Sequence, residues 1–306
     1  ANGESLETIT NPTPKVTDKN NEEIKLENNY ISPILNSEPP INIPFLGTKV
    51  LFSENIDFRE LINYLDKKAL FAGQWQMKRL RNQSKSDYDS FIENKAEPIL
   101  QELLEKIHRE QLMNPSVVYG YFPCRSNKND LLLYSHDKSE LLGTFTFPRQ
   151  KSGKRYCIAD FYRSNNVGSP SDYIPMQAVT MGQEASYYSN KLFESNLYTD
   201  YLYFHGLSVQ LAEALAELIH SRIRKECGYQ SEEPDNINDI LAMKYRGCRY
   251  SFGYPSCPNV SDSRKQLEWL DADRIALSMD DNDQLHPEQS TTAIVSLHPQ
   301  ARYFST

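Results

Sequence analysis

The chain has 306 residues, enough for one large domain or two small ones with an ample core. Hydrophobic residues make up 39% and charged residues 24%, the balance of a soluble globular protein, and a net charge of −8 argues against a broad nucleic-acid-binding face. No apolar run approaches the roughly 20 residues of a membrane span, and no basic region followed by an apolar one marks a secretory signal.

Residues 1–38 are rich in Asn, Glu, Thr, Lys and Pro and poor in aromatics, so they read as a flexible linker. The start Ala1-Asn2-Gly3-Glu4 reads as that of a fragment of a longer chain. A single domain is expected over residues 39–306, opened by Pro39-Pro40 and Pro44-Phe45-Leu46-Gly47. Asp57 and Glu60 have the spacing of a capping box, followed by an apolar face of Leu61, Leu65, Leu70 and Trp75. Residues 88–113 predict a long helix, with Phe91, Ile99, Leu100, Leu103, Leu104 and Ile107 at helical spacing.

Short β-branched and aromatic runs come next: Val117 to Pro123, Leu131 to Ser135, Leu141 to Phe147, Tyr156 to Asp160 and Met176 to Met181. They predict antiparallel strands. Helix returns from Gln183 to Glu226, with a stripe of Leu207, Leu211, Leu215, Leu218, Ile219 and Ile223, and Gly228 as its C-terminal cap. Helices near Ile237 to Tyr245 and Ser263 to Leu270, and strands near Ile275 to Ser278 and Ala293 to Leu297, complete the pattern. Regular βαβ alternation and a G-x-G-x-x-G loop are both missing, so an α+β domain with an antiparallel sheet is expected.

Five cysteines (Cys124, Cys157, Cys227, Cys248 and Cys257) are odd in number, widely spaced and without a C-x-x-C pair, which fits free thiols in a reducing cytoplasm. Cys248 and Cys257 lack a His at zinc-finger spacing, and no metal site is expected. His205, His220 and His298 form no catalytic pattern and read as core or capping residues. Asp280-Asp281-Asn282-Asp283 lacks the distal Glu and the Gly of an EF-hand loop and reads as a solvated loop.

The most informative stretch is Arg246 to Pro258, punctuated by Gly253, Pro255 and Pro258. It predicts a rigid loop carrying aromatics and two guanidinium groups. Such a loop suits an anionic or planar small ligand, with Arg gripping a carboxylate and Tyr and Phe giving flat contact area. Taken as residues alone, it is equally a structural turn with a surface Arg.

Arg249-Tyr250-Ser251-Phe252-Gly253-Tyr254 has the form R-x-x-x-G-Y, followed by Pro-Ser-Cys-Pro. It resembles the S-adenosylmethionine-binding signature of the activation domain of cobalamin-dependent methionine synthase. Colinear stretches agree: Phe71-Ala72-Gly73-Gln74-Trp75, Val118 to Pro123, Phe147-Pro148-Arg149-Gln150, Ile158 to Phe161, Leu211 to Glu217 and His298 to Phe304. The resemblance runs from about Pro40 to the end of the chain. It implies a single C-shaped α+β domain with a bent antiparallel sheet flanked by long helices.

The resemblance also implies ligand residues. Arg249 takes the position that faces the methionyl carboxylate, with Gly253 and Tyr254 completing the motif. Glu213 takes that of a carboxylate near the ligand, with Glu217 read as a solvated helix-face acid, and Tyr303 that of a Tyr whose segment lines the adenosyl pocket. Two positions depart from the pattern: Asn42 and Met243 stand where some relatives have acids. The uncharged Asn42 is retained as a ligand candidate.

The implied function is that of a reactivation module within a methyltransferase. S-adenosylmethionine would be the methyl donor for reductive methylation of cob(II)alamin, with no catalytic side chain required. Cobalamin, and zinc, would be held by other modules. The implied partners are the cobalamin-binding module and a flavodoxin-like one-electron reductant, and an isolated domain would turn nothing over. The competing reading is a non-catalytic docking module that caps the cobalamin-binding module without binding S-adenosylmethionine.

Overall fold

The computed structural model describes residues 32, 34, 40–164 and 172–306. The expected linker over residues 1–38 lies outside them apart from Ser32 and Ile34, and Ile34 is part of a buried cluster. Nine strands are present among the described residues. They are β1 (Gly47–Leu51), β2 (Ser116–Asn127), β3 (Asp130–Tyr134), β4 (Leu141–Thr146), β5 (Asp172–Thr180), β6 (Cys248–Tyr250), β7 (Ser278–Met279), β8 (Leu285–His286) and β9 (Ser290–Ser296). The pair β7 and β8 forms a small separate hairpin, and the other seven form one antiparallel sheet in the order β4-β3-β2-β5-β9-β6, with β1 beside β2.

The long strand β2 shares one of its edges between two partners. Residues 117–121 pair with β1 and residues 124–127 pair with β3. The change of partner falls at Phe122-Pro123, where the proline has no N–H to leave unpaired.

Strand alternation feeds two buried clusters, one on each face. Val117, Tyr119, Tyr121, Val179 and Val295 pack with the long helices. Val118, Phe122, Ile174, Met176, Ala178, Tyr250 and Ile294 pack with Phe145, Phe147 and Leu267 on the other face. Both faces are covered, which is why these strands are nearly continuous apolar runs.

The helices are α1 (Phe58–Asn63), α2 (Lys85–Phe91), α3 (Glu97–Glu110), α4 (Gln183–Glu194), α5 (Tyr198–Arg224), α6 (Ile237–Leu241) and α7 (Asp262–Leu270). Asp57 caps α1 by accepting from the Arg59 N–H at 2.9 Å, a one-sided cap rather than the expected reciprocal box with Glu60. The predicted helix 88–113 is a helical run over residues 85–110, with a π segment at Ile92–Ala96 joining α2 to α3. Pro98 sits in the first turn of α3, where the wider π turn accommodates its missing N–H.

The expected single helix from Gln183 to Glu226 is two helices, broken at Ser195 to Leu197, where Asn196 has φ +59. Residues 225–229 continue as a π turn that ends at Gly228, φ +93. Two strand expectations are corrected. Tyr156 to Asp160 gives a 3-10 turn at Ile158–Phe161, where the buried Asp160 carboxylate pairs with Arg149 at 2.5 and 2.7 Å. Ile275 to Ser278 is a 3-10 turn at Ala272–Ile275 followed by the short β7. The remaining α+β expectation, helices packed on an antiparallel sheet, stands.

All five cysteines are free and buried. Among the described residues, no helix is long and apolar enough to cross a membrane, and no group of His, Cys, Asp or Glu is placed to hold a metal ion.

Candidate functional site

The stretch from Arg246 to Pro258 begins as a strand, not as the loop its composition suggested. Cys248, Arg249 and Tyr250 form β6 and pair with Ser296, Val295 and Ile294 of β9. Alternation sends Cys248 and Tyr250 into one buried cluster and points Arg249 the other way, toward α5. The turn follows at once. The Gly253 N–H donates to the Cys257 carbonyl at 2.9 Å, and the Cys257 N–H donates to the Tyr254 carbonyl at 2.9 Å. Gly253 has φ +95, a left-handed conformation that side chains other than glycine rarely adopt, and a Cβ there would meet Val260 Cγ2 at 3.0 Å.

The C-terminal segment pins this turn. Tyr250 donates to the Arg302 carbonyl at 2.9 Å, Ser256 donates to the Phe304 carbonyl, and Thr306 donates to the Pro255 carbonyl at 2.6 Å. Phe252 and Phe304 are buried on the same side. Tyr254 and Tyr303 are thereby brought together at the surface, edge to face with centroids 6.4 Å apart, 56% and 45% exposed.

Between this turn and α5 lies a cleft of about 310 Å³. Arg249, Glu213, Tyr254 and Tyr303, four of the residues singled out in the sequence, line it. Gly253 is not in the lining; it shapes the turn that presents Tyr254. Met243, the other position expected to depart from the pattern, also lines the cleft and is 64% exposed.

Asn42 is elsewhere. Its side chain donates to the Glu226 carbonyl at 2.9 Å and its N–H to the Cys227 carbonyl at 3.3 Å, beyond the end of α5. Thirteen positions separate Glu226 from Glu213, about 20 Å at the helical rise of roughly 1.5 Å per residue. Asn42 therefore holds the start of the fold onto the helix end and does not line the cleft.

Arg249 lies between two carboxylates one helical turn apart. Its Nη2 is 3.3 Å from Glu213 Oε2, and its Nε is 3.3 Å from Glu217 Oε2. Burial disfavours the guanidinium charge, but Glu217, then Glu213 and Tyr245, outweigh it and raise its pKa. The ion is permanent.

Glu217 is the main correction at the site. Far from being a solvated helix-face acid, it is 7% exposed and hydrogen-bonded by the Tyr245 hydroxyl at 3.1 Å. Its Oε1 faces Arg224 Nη1 at 3.7 Å and His220 Nδ1 at 3.6 Å. Burial pushes the carboxyl up, but His220, Arg249 and Arg224 together reverse this and bring it down to about 2. His220 is fully buried. Burial, and then the Arg224 charge, lower it to about 4 against the pull of Glu217, so the ring is neutral at neutral pH. Arg224 is fully buried too and is paired with Glu233 through Nε and, at 3.0 Å, through Nη2.

With Arg224 matched by Glu233, the cleft lining carries Arg249 against Asp66, Glu213 and Glu217, two negative charges in excess. The site therefore offers a planar cation for a carboxylate, an excess negative charge for a ligand cation and two exposed aromatic rings for a flat group. Cys248 lines the cleft, but burial lifts its thiol to about 11, so it is no nucleophile at neutral pH.

Sequence reasoning overlooked Tyr64, Asp66, Gln210 and Tyr245 in the lining. Of these, only Gln210 carried a signal, three positions before Glu213 and so on the same helical face.

Comparison with known proteins places this geometry in context. The family model for the vitamin B12 dependent methionine synthase activation domain matches residues 57–306. Methionine synthase of Mycobacterium tuberculosis is 38% identical over 274 residues, covering 86% of this chain and 23% of that protein. Methionine synthase of Mycobacterium leprae gives the same identity and coverage. The chain thus spans under a quarter of the length of these curated relatives. A crystal structure of the MetH reactivation domain bound to AdoHcy has the same fold, with a TM-score of 0.76 at 24% identity, covering 88% of this chain and 83% of that one.

Proposed function

The chain belongs to the activation-domain family of vitamin B12 dependent methionine synthase, and from that premise we propose that its cleft binds S-adenosylmethionine as methyl donor for the reductive methylation of cob(II)alamin. The observation that carries this is Arg249, a permanent cation that is held between two carboxylates and keeps 21% of its side chain exposed at the cleft. A protein of the same fold binds AdoHcy, which supports a ligand of this class.

In this reading the terminal nitrogens of Arg249 grip the methionyl carboxylate as a bidentate fork. Glu213 then faces the ligand's cationic groups, and Tyr254 and Tyr303 give flat contact to the adenosyl part. The excess negative charge of the wall complements a ligand that carries one net positive charge: carboxylate, ammonium and sulfonium together. S-adenosylmethionine supplies a methyl group on a sulfonium whose leaving group is a neutral thioether, so the chain need not move a proton. Its work is to bind and orient.

The corrinoid belongs to the cobalamin-binding module of the same enzyme, the partner this domain meets, with a flavodoxin-like donor supplying the electron. A reducing cytoplasm suits five unpaired thiols. The test is calorimetry of S-adenosylmethionine against the purified chain. Saturable one-to-one binding without turnover is expected. No binding at millimolar ligand would replace this reading with that of a docking module that caps the cobalamin-binding module.

A further inference from the structure

The two helix carboxylates hold Arg249 in unequal ways. Glu213 meets the guanidinium at Nη2, and its side chain is 44% exposed. Glu217 meets it at Nε, and its side chain is 9% exposed. Behind Glu217 the contacts are fixed. Tyr245 donates to the same oxygen that faces Arg249, while Arg224 and His220 flank the other oxygen. Arg224 is in turn tied to Glu233 and lies over the Tyr245 ring, 3.8 Å from its centroid. Glu217 cannot rotate away without stranding buried polar groups, whereas Glu213 is free to swing into solvent.

A guanidinium presents its donors in a rigid fork, so fixing the Nε edge fixes the direction of the terminal pair. We infer that Glu217 is a positioning residue. It holds Arg249 by Nε and aims the terminal nitrogens at the cleft, where a ligand carboxylate displaces Glu213. The inference rests on the reading of the cleft as an S-adenosylmethionine site. It adds a division of labour between two acids on one helix: an inner anchor and an outer, exchangeable counter-ion.

The test separates placement from charge. S-adenosylmethionine and its decarboxylated analogue differ only in the carboxylate that Arg249 would grip, so the ratio of their affinities reads the clamp alone. In the wild-type chain the ratio should favour S-adenosylmethionine by about thirtyfold or more. Glu217→Asp keeps the charge but withdraws it by about 1.5 Å, one carbon–carbon bond. Glu217→Gln keeps the reach, and its amide oxygen still accepts from the Tyr245 hydroxyl and faces Arg249 Nε without the charge.

Placement predicts that Glu217→Asp lowers the ratio by about tenfold while Glu217→Gln stays within roughly threefold of wild type. The reverse order would make charge the determinant and overturn the inference. So would an equal loss of both ligands in Glu217→Asp, the mark of a merely structural role. Melting curves establish that both variants fold. Were the Asp variant unfolded, a tenfold loss of the ratio in Glu217→Gln would still overturn the inference, and a preserved ratio would support it. A wild-type chain that binds neither ligand, or both equally, refutes the reading of the cleft itself rather than the role of Glu217.

Discussion

Gly206 allows α5 to lie directly against Trp75. A Cβ at Gly206 would come 2.8 Å from Gln74 Cβ and 3.2 Å from Trp75 Cδ1. The indole, only 2% exposed, donates from Nε1 to the Tyr203 carbonyl on the same helix at 3.0 Å. Gln74 ends a π turn at Ala69–Gln74, and this turn packs on α5, the helix that also carries Glu213 and Glu217. The seat of the helix is therefore set seven residues before the first of the two site acids.

The contact predicts the effect of Gly206→Ala. Helix propensity favours the change by up to about 1 kcal/mol. Overpacking against Gln74 and Trp75 opposes it by about 1–3 kcal/mol. The second effect should win, so the melting temperature should fall by several degrees. An unchanged or raised melting temperature would show that α5 lifts off Trp75 without loss.

How much of this was legible in the sequence depended on how local the cause was. The apolar stripe from Leu207 to Ile223 marked α5, and the run over residues 117–123 marked β2, because periodicity lies within each element. R-x-x-x-G-Y drew attention to Arg249 and Tyr254, and the structure puts them with Glu213 and Tyr303 in one cleft. The three-residue β6 was hidden because a strand that short has no period of its own; Val295 and its neighbours on β9 make it a strand. Glu217 was misjudged for a related reason. It read as a solvated helix-face acid, but its burial comes from Arg224, Tyr245 and Arg249, and their convergence is a property of the fold.

Acid should destabilise this cluster, and His220 gives the effect a definite sign. Its folded pKa of about 4 lies below the unfolded value of 6.5. Between these values the unfolded chain binds a proton that the folded chain refuses, so stability falls as pH drops through 6.5 toward 4. At pH 5 the loss from this residue is about 2 kcal/mol relative to neutral pH. Asp172 acts in the opposite direction. Burial raises its carboxyl to about 6, so it favours the folded state increasingly as pH falls through that value. The clean observable is thus the difference between wild type and His220→Asn in the fall of melting temperature from pH 7 to pH 5. The wild-type fall should be the larger. Identical falls would mean that the ring is not held neutral.

Arg249 gives the most direct test of the site. Arg249→Ala removes a charge-assisted bidentate partner and leaves the ligand carboxylate without a match, a loss of about 2–4 kcal/mol, or roughly thirty- to a thousandfold in affinity for S-adenosylmethionine. Arg249→Lys should recover only part of this, because an ammonium cannot reproduce the planar fork. Within the fold, Glu217 keeps the Tyr245 hydroxyl and Arg224 after either change, so the protein should remain folded. Arg246 is the internal control. It donates to the Leu297 carbonyl at 2.9 Å, pairs with Glu232 at 3.1 Å and lies over the Tyr229 ring, and none of these residues lines the cleft. Arg246→Ala should lower the melting temperature of the free protein yet bind nearly as wild type does. The rise in melting temperature that ligand confers on wild type should persist in Arg246→Ala and vanish in Arg249→Ala. Equal binding by both variants would remove Arg249 from the site and make the docking-module reading the better account of this chain.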